Sequence, residues 1–463
     1  MSFSNALADV DAAPKRALAR RVRRTVAAAS EGPALLQLTV PVAPADPLAW
    51  LDAQPFGEKG FWAGRGSATE RAFAGMADLR CGPARDVLPA LQTHLARQRV
   101  DDAARYFGGL RFDAENATES TWRPFASCRF VLPRFAFERR GDDAALACYL
   151  TFPRDAERLD EVLTQIERLR FPERTSGGSL PLPIDRDDAP DAAHWQGMMN
   201  DALGKLQAGA LDKVVLARRT TFRFEDPLPP WRLLGNLKRA TPRCFHFGFQ
   251  PDDGAAFVGA SPERLFRRDG CTLEGEAVAG TRPRSEDPAE DDRLRRELLA
   301  SSKDRREHTF VQQHLRDTLG PLSRALDLSD APSEMKLARS RHLRAGLRAT
   351  LRPDVSTADL LAALHPTPAV GGTPHRRALA LIRKLEPFDR GWYAGPVGWI
   401  GPEAADFAVA IRSGLVAEHR LALFSGAGLV EGSEAESEWD EIEQKISDFT
   451  GILGLTEKPA PGV

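Results

Sequence analysis

Between Phe245 and Gln250 the chain alternates strictly, with Phe245, Phe247 and Phe249 separated by His246, Gly248 and Gln250. A period of two puts the three rings on one face and predicts a half-buried strand over 245–250. Apolar runs rich in strand-forming residues predict further strands over 213–224, 255–268, 392–400, 406–417 and 420–430, and earlier over 127–138 and 145–153. Elsewhere the spacing lengthens and predicts helices over 154–170, 191–208, 288–300, 302–319 and 434–453. In the helix from Ser302, Val311, Leu315 and Leu319 form an inward stripe; the last helix carries Trp439, Ile442, Ile446, Phe449 and Leu453. The Pro-, Gly- and Ser-rich stretch 171–190 predicts a surface connection. Clusters of strands separated by clusters of helices favour an α+β fold over a doubly wound one.

Composition narrows the class. The chain has 463 residues, 42% hydrophobic and 28% charged, as in soluble globular proteins. A formal net charge of −2 gives no electrostatic reason to expect nucleic acid or an anionic membrane as partner. Cys81, Cys128, Cys148, Cys244 and Cys271 are odd in number, widely spaced and free of any C-x-x-C, which argues against a disulfide framework or thiolate zinc. A reducing compartment, the cytoplasm, is the expectation. No apolar run approaches the ~18 residues of a membrane span. Arg20-Arg21 and Arg23-Arg24 lack a following apolar stretch and read as an amphipathic helix, not a signal peptide.

Candidate chemistry starts with Leu211-Asp-Lys-Val-Val-Leu-Ala-Arg218 and Gly259-Ala-Ser-Pro-Glu-Arg264. A lysine leading into a buried strand, Lys213, loses solvation and is a candidate base; a carboxyl in a closed pocket, Glu263, can hold a proton and act as acid. The plain alternatives are a snorkelling Lys213 and a Glu263 paired with Arg264 or Arg267. Projected back by turns, the stripe of the 302–319 helix reaches Glu307 and Asp304, while Glu438, Glu441 and Lys445 run along the edge of the last helix's stripe. Acids on two inward faces suit a hard divalent cation such as Mg²⁺. Asp304, three residues after Ser301, also fits a helix cap. Gly426 and Gly428, in Phe-Ser-Gly-Ala-Gly-Leu-Val, do not match a dinucleotide fingerprint but expose amides that can meet a carboxylate. Arg412 reads as a buried cation inside an apolar strand, needing a substrate carboxylate or an internal acid.

Taken jointly, LDKVVLAR, GASPERLF, AGTRPR, SSKDRREH, LHPTPAVGG, RGWYAGPVGW, AIRSG, FSGAGLV and SEWDEIEQK resemble, in order, the motifs of the chorismate-utilising enzymes, most closely the isochorismate synthases. The resemblance covers about 191–455 and is loose before that. It implies the anthranilate synthase component I-like fold, antiparallel sheets flanked by helices, with an N-terminal α+β portion (1–190) packed as one unit with a chorismate-binding catalytic region (191–455). It implies Mg²⁺ dependence and chorismate as substrate. By position, Lys213 becomes the base that activates water for attack at C2 and Glu263 the acid for the departing C4 hydroxyl. Glu307 and Glu441 become metal ligands, with Asp304 and Glu438 near them. Gly280, Thr281, His342, Thr367, Ala369, Tyr393, Arg412, Gly426, Ala427, Gly428 and Lys445 become substrate-binding.

Within that superfamily the resemblance also separates siblings. Ammonia-using members resemble a Gln where this chain has Lys213, and some carry a nucleophilic Lys at the place of Ala279, which argues against a glutaminase partner. Salicylate synthases resemble a Thr where this chain has Ala369. Isochorismate synthase is therefore the leading expectation and salicylate synthase the runner-up. A non-catalytic chorismate-binding regulatory subunit is a third reading, which needs neither Lys213 nor Glu263. The expected assembly is a monomer or homodimer.

Overall fold

The computed structural model describes residues 3–28, 32–97, 99–172 and 179–455. Two series of antiparallel strands meet along the long pairing of Thr69–Gly82 with Cys128–Arg140. One series runs from Thr69–Gly82 through Lys59–Ala63, Phe245–Gln250, Ala255–Ser261, Ser413–Ala417 and Arg420–Leu429 to Lys213–Phe224. The other runs from Cys128–Arg140 through Tyr106–Leu110, Pro396–Ile400, Ala404–Val409, Arg264–Asp269 and Thr272–Pro283 to Ser340–Leu351. Strands from the first third of the chain are thus interleaved with strands from its last third. The fold is α+β, with large antiparallel sheets flanked by helices.

The alternating Phe245–Gln250 strand is buried on both faces except at Gln250. Its polar face is covered by the helix Pro230–Ala240, whose Trp231 lies so close over Gly248 that a Cβ there would meet the ring at 2.6 Å. His246 is tolerated in this layer through a 3.1 Å hydrogen bond with Thr241 Oγ1. On the other face Phe249 meets Phe73 and Trp392, and Phe73 stacks on Phe107 at 4.5 Å.

Several sequence expectations are corrected. The 255–268 run breaks at Pro262-Glu263 into two strands of different series, and 406–417 breaks likewise at Ala410–Arg412. The first segment of 392–400 is a turn, and pairing begins at Pro396. The 154–170 helix is interrupted at Arg158. The 171–190 connection contains a strand, Pro183–Ala189, which pairs with Lys213–Phe224; residues 173–178 lie outside the described residues. Its Asp-rich sequence hid the strand, because strand propensity counts for little where a neighbouring edge supplies the hydrogen bonds. The N-terminal helix buries Leu18 and Val22, and among the described residues no helix is long and apolar enough to cross a membrane.

Two helices close over the sheets and carry the acids. Ser302–Leu319 lies against Thr272–Pro283 and is tied to it through His308 Nε2 and the Ala277 carbonyl, 3.2 Å apart. Ala435–Ile452 lies against Arg420–Leu429, where Ser425 Oγ donates to the Ile442 carbonyl at 3.2 Å.

Candidate active site

The chain crosses from one strand series to the other at Pro262-Glu263 and again at Ala410–Arg412. The crossings are bonded together: Val409 N donates to the Glu263 carbonyl at 3.1 Å and Ala260 N to the Arg412 carbonyl at 3.0 Å. A strand that changes sheet must bend, and the backbone polar groups freed at the bend are satisfied by the other crossing. Arg412 therefore does not sit within a strand. It occupies a left-handed conformation with φ of 51°, and its Nη1 donates to the Lys445 carbonyl at 3.0 Å while Asp448 lies 3.6 Å away. The internal acid is thus its partner in this structure. Both crossings open onto one cavity, which Pro262, Glu263, Ile411 and Arg412 help to line.

Glu263, Gly280, Thr281, Glu307, His342 and Ala369 all reach this wall, as do Tyr393, Arg412, Gly426, Glu441 and Lys445. Lys213 is fully buried one layer behind it and donates to Glu307 Oε1 at 2.8 Å. Gly428 is part of that arrangement: a Cβ there would meet Glu307 Oε1 at 2.6 Å and Lys213 Cε at 3.2 Å, so only glycine lets the ion pair lie against the strand. Gly280, at φ 69°, gives Asp304 the same close approach, 2.9 Å from a built Cβ to Oδ1. Thr367 is buried beneath the wall and its hydroxyl has no hydrogen-bond partner among the described residues. Ala427 packs into the core on the opposite face of its strand. The wall also includes Val215, Val278, Ile411 and Phe424, which sequence reasoning missed; apolar residues in apolar strands carry no signal that separates a pocket wall from a core.

Charge in the site is arranged in pairs. Lys445 reaches Glu441 at 2.6 Å and the Gly426 carbonyl at 2.8 Å. Lys303 reaches Glu438 at 2.6 Å, and Arg282 reaches Asp304 at 2.9 Å. Burial would raise the Glu441 carboxyl, but Lys445 beside it holds it below the usual range. Glu438 is raised by burial and then by Glu441. Glu263 is pushed up to about 8 by burial, with the charge of Glu276 adding to it, so it holds a proton at neutral pH. His342 is pushed down to about 3 by burial and then by Arg412, and is a neutral imidazole bonded at 3.1 Å to both Thr281 Oγ1 and the Gly280 carbonyl. Tyr393 stacks on Phe424 at 5.3 Å and its hydroxyl faces Gly426.

The acids fit a hard cation by donor chemistry. All are oxygen donors, and Glu438 Oε2 is buried with no hydrogen-bond partner among the described residues. The Lys303 ammonium is held where Glu307, Glu438 and Glu441 all attract it. No group of three or more acids converges among the described residues. Mg²⁺ does not need one, because it is usually held by one or two carboxylates plus substrate and water.

Comparison with known proteins identifies the family. The salicylate biosynthesis isochorismate synthase of Pseudomonas aeruginosa is 39% identical over 77% of this chain and 76% of its own length. An isochorismate synthase of Pasteurella multocida is 32% identical over 88% of this chain and 90% of its own. The solved structure of the menaquinone-specific isochorismate synthase from Escherichia coli matches with a TM-score of 0.80 at 27% identity, covering 95% of this chain and 99% of that one. The family model for chorismate binding enzymes matches residues 20–454, and the chain belongs to that family.

Proposed function

We propose that this chain is an isochorismate synthase, converting chorismate to isochorismate with Mg²⁺ as cofactor. The carrying observation is a fully buried amine, Lys213, one layer behind a cavity whose wall carries a proton-holding carboxyl, Glu263. Lys213 acts as a neutral amine, its proton lost to solvent as the ion pair with Glu307 opens, and takes a proton from the water that attacks C2 of the ring. Both ring double bonds shift, the C4–oxygen bond breaks, Glu263 gives its proton to the departing hydroxyl, and exchange with solvent then takes the proton from Lys213 and returns one to Glu263. One water is added and one is released, so the reaction is an isomerisation. Arg412, Tyr393 and the Gly426–Gly428 backbone hold the enolpyruvyl carboxylate, and neutral His342, Thr281 and Gly280 line the ring. Glu307 and Glu441 would hold Mg²⁺, with Asp304 and Glu438 beside them. When bound, the ion neutralises a substrate carboxylate and orients it.

The test is incubation of purified protein with chorismate and Mg²⁺ and separation of the products. Isochorismate without pyruvate supports the reading; stoichiometric pyruvate with salicylate replaces it with salicylate synthase. An inert protein that still binds chorismate would instead be a regulatory subunit. Water as nucleophile makes a glutaminase subunit unnecessary, and the reading places a monomer or homodimer in the cytoplasm.

A further inference from the structure

The Glu263 carboxyl is flanked in sequence by two backbone groups, the Pro262 carbonyl and the Arg264 amide, and both are bound by side chains from other elements, a turn and a strand. Arg65, in the turn between Lys59–Ala63 and Thr69–Gly82, donates through Nη1 to the Pro262 carbonyl and through Nη2 to Glu276 Oε2 at 2.6 Å. Glu276, on the strand Thr272–Pro283, accepts the Arg264 amide on Oε1 at 2.9 Å. Arg344 Nε closes the group, donating to the same Oε2 at 2.6 Å. The Glu276 side chain is 1% exposed, Arg65 17% and Arg344 40%. A bridge of this form fixes the acid's backbone on both sides and leaves a buried negative charge beside it.

We propose that Glu276, clamped between Arg65 and Arg344, is the positioning residue that aims Glu263 and biases it toward its acid form, so that the N-terminal portion of the chain contributes through Arg65 to the chemistry. This rests on Glu263 being the general acid. Burial would raise Glu276, but Arg65, the Arg264 amide and Arg344 outweigh it and hold it ionised. The groups acting on Glu263 are Glu276, which favours the protonated form, and Lys213, Lys445 and Arg65, which oppose it. Glu307, Glu441, Arg412 and His342 share the same cavity. Of the groups that act on Glu263, Glu276 is the one that favours its acid form and is bonded to its backbone. Two arginines on one carboxylate keep that charge in place where an isolated buried anion would take up a proton.

The experiment compares wild type, Glu276→Gln and Arg344→Gln. Two readouts are taken: the alkaline limb of kcat against pH, and the infrared band of the protonated Glu263 carboxyl in substrate-free protein, assigned by its loss in Glu263→Gln. Glu276→Gln keeps the shape and removes the charge, so both readouts should move about one unit to lower pH. Arg344→Gln leaves the charge of Glu276 less compensated, so both should move to higher pH. Opposite signs are not produced by loosened packing. Midpoints unmoved in both variants overturn the proposal. If Glu276→Gln does not fold, the partly exposed Arg344 position decides by itself, an unmoved or lowered midpoint being the negative result. The infrared readout needs no turnover: a wild type that makes no isochorismate refutes the activity, while the band still tests the bridge.

Discussion

Replacing Lys213 by Ala, or Glu263 by Gln, should lower turnover by ~10²–10⁴-fold each, the usual contribution of a general base or acid. Chorismate binding, followed by titration calorimetry, should survive both changes; turnover near that of wild type in either would remove the residue from its role. The Glu263 carboxyl, pushed up to about 8, donates only while protonated, so kcat/KM should hold below that pH and fall above it. A desolvated acid also strains the fold. Glu263→Gln should therefore raise the melting temperature at pH 8 by an amount on the order of 1 kcal/mol of stability or more, while turnover is lost. These two residues were legible in the sequence because each sits at a local irregularity, a charge heading an apolar run and an acid after Ser-Pro. Glu276 and Arg65 were not. In sequence they are an ordinary strand acid and an ordinary turn arginine, 211 residues apart, and only the folded chain brings them together.

At the scale of elements, the helices Ser302–Leu319 and Ala435–Ile452 each bring one acid, Glu307 and Glu441, to the cavity wall. Chelator should abolish turnover and added Mg²⁺ restore it. Glu307→Ala or Glu441→Ala should weaken Mg²⁺ binding measured by calorimetry; unaltered binding would make these acids structural. The inward stripes predicted both helices with their ends, since a 3.6-residue period over eighteen residues is a strong signal. The crossings at Pro262-Glu263 and Ala410–Arg412 were missed by the same reasoning, because apolar strand residues stand on both sides of each and a short polar break reads as part of one longer strand. The loop holding Ala369 lines the same cavity and offers no hydroxyl there. Ala369→Thr supplies one beside the enolpyruvyl group, and the fraction of pyruvate and salicylate among the products should rise. A product ratio equal to that of wild type would show that this position does not govern elimination.

For the whole molecule, buried titratable groups set opposing pH trends. His246, His342 and His365 are pushed down to about 4, 3 and 4 by burial, so the stability they contribute is full above the unfolded value of 6.5 and is lost as pH falls. Glu58 and Glu263 are pushed up to about 7 and 8 by burial, so their contribution is full below the unfolded value of 4.5 and is lost as pH rises through 7 to 8. The two sets oppose one another between those unfolded values, and above pH 6.5 only the carboxyls remain. Three histidines outweigh two carboxyls, so urea midpoints should rise by ~1.4 kcal/mol per unit just above pH 5, turn over near 6.5 and fall toward pH 8 by up to ~1.4 kcal/mol per unit per group. A midpoint that rises toward pH 8 would contradict these assignments. The interleaving of strands has a consequence for synthesis. Tyr106–Leu110 finds one of its two neighbours only in Pro396–Ile400, about 290 residues later. At ~5–20 residues per second a ribosome needs roughly 15–60 s to deliver that partner. Through that interval the emerging chain carries an unpaired edge of Tyr, Phe and Leu, which is a template for strangers as well as for its own mate. Nascent chains stalled before Pro396 should therefore be held by chaperones, and the yield of active protein should fall when translation is slowed, which lengthens that interval; an unchanged yield would show that the edge is protected meanwhile.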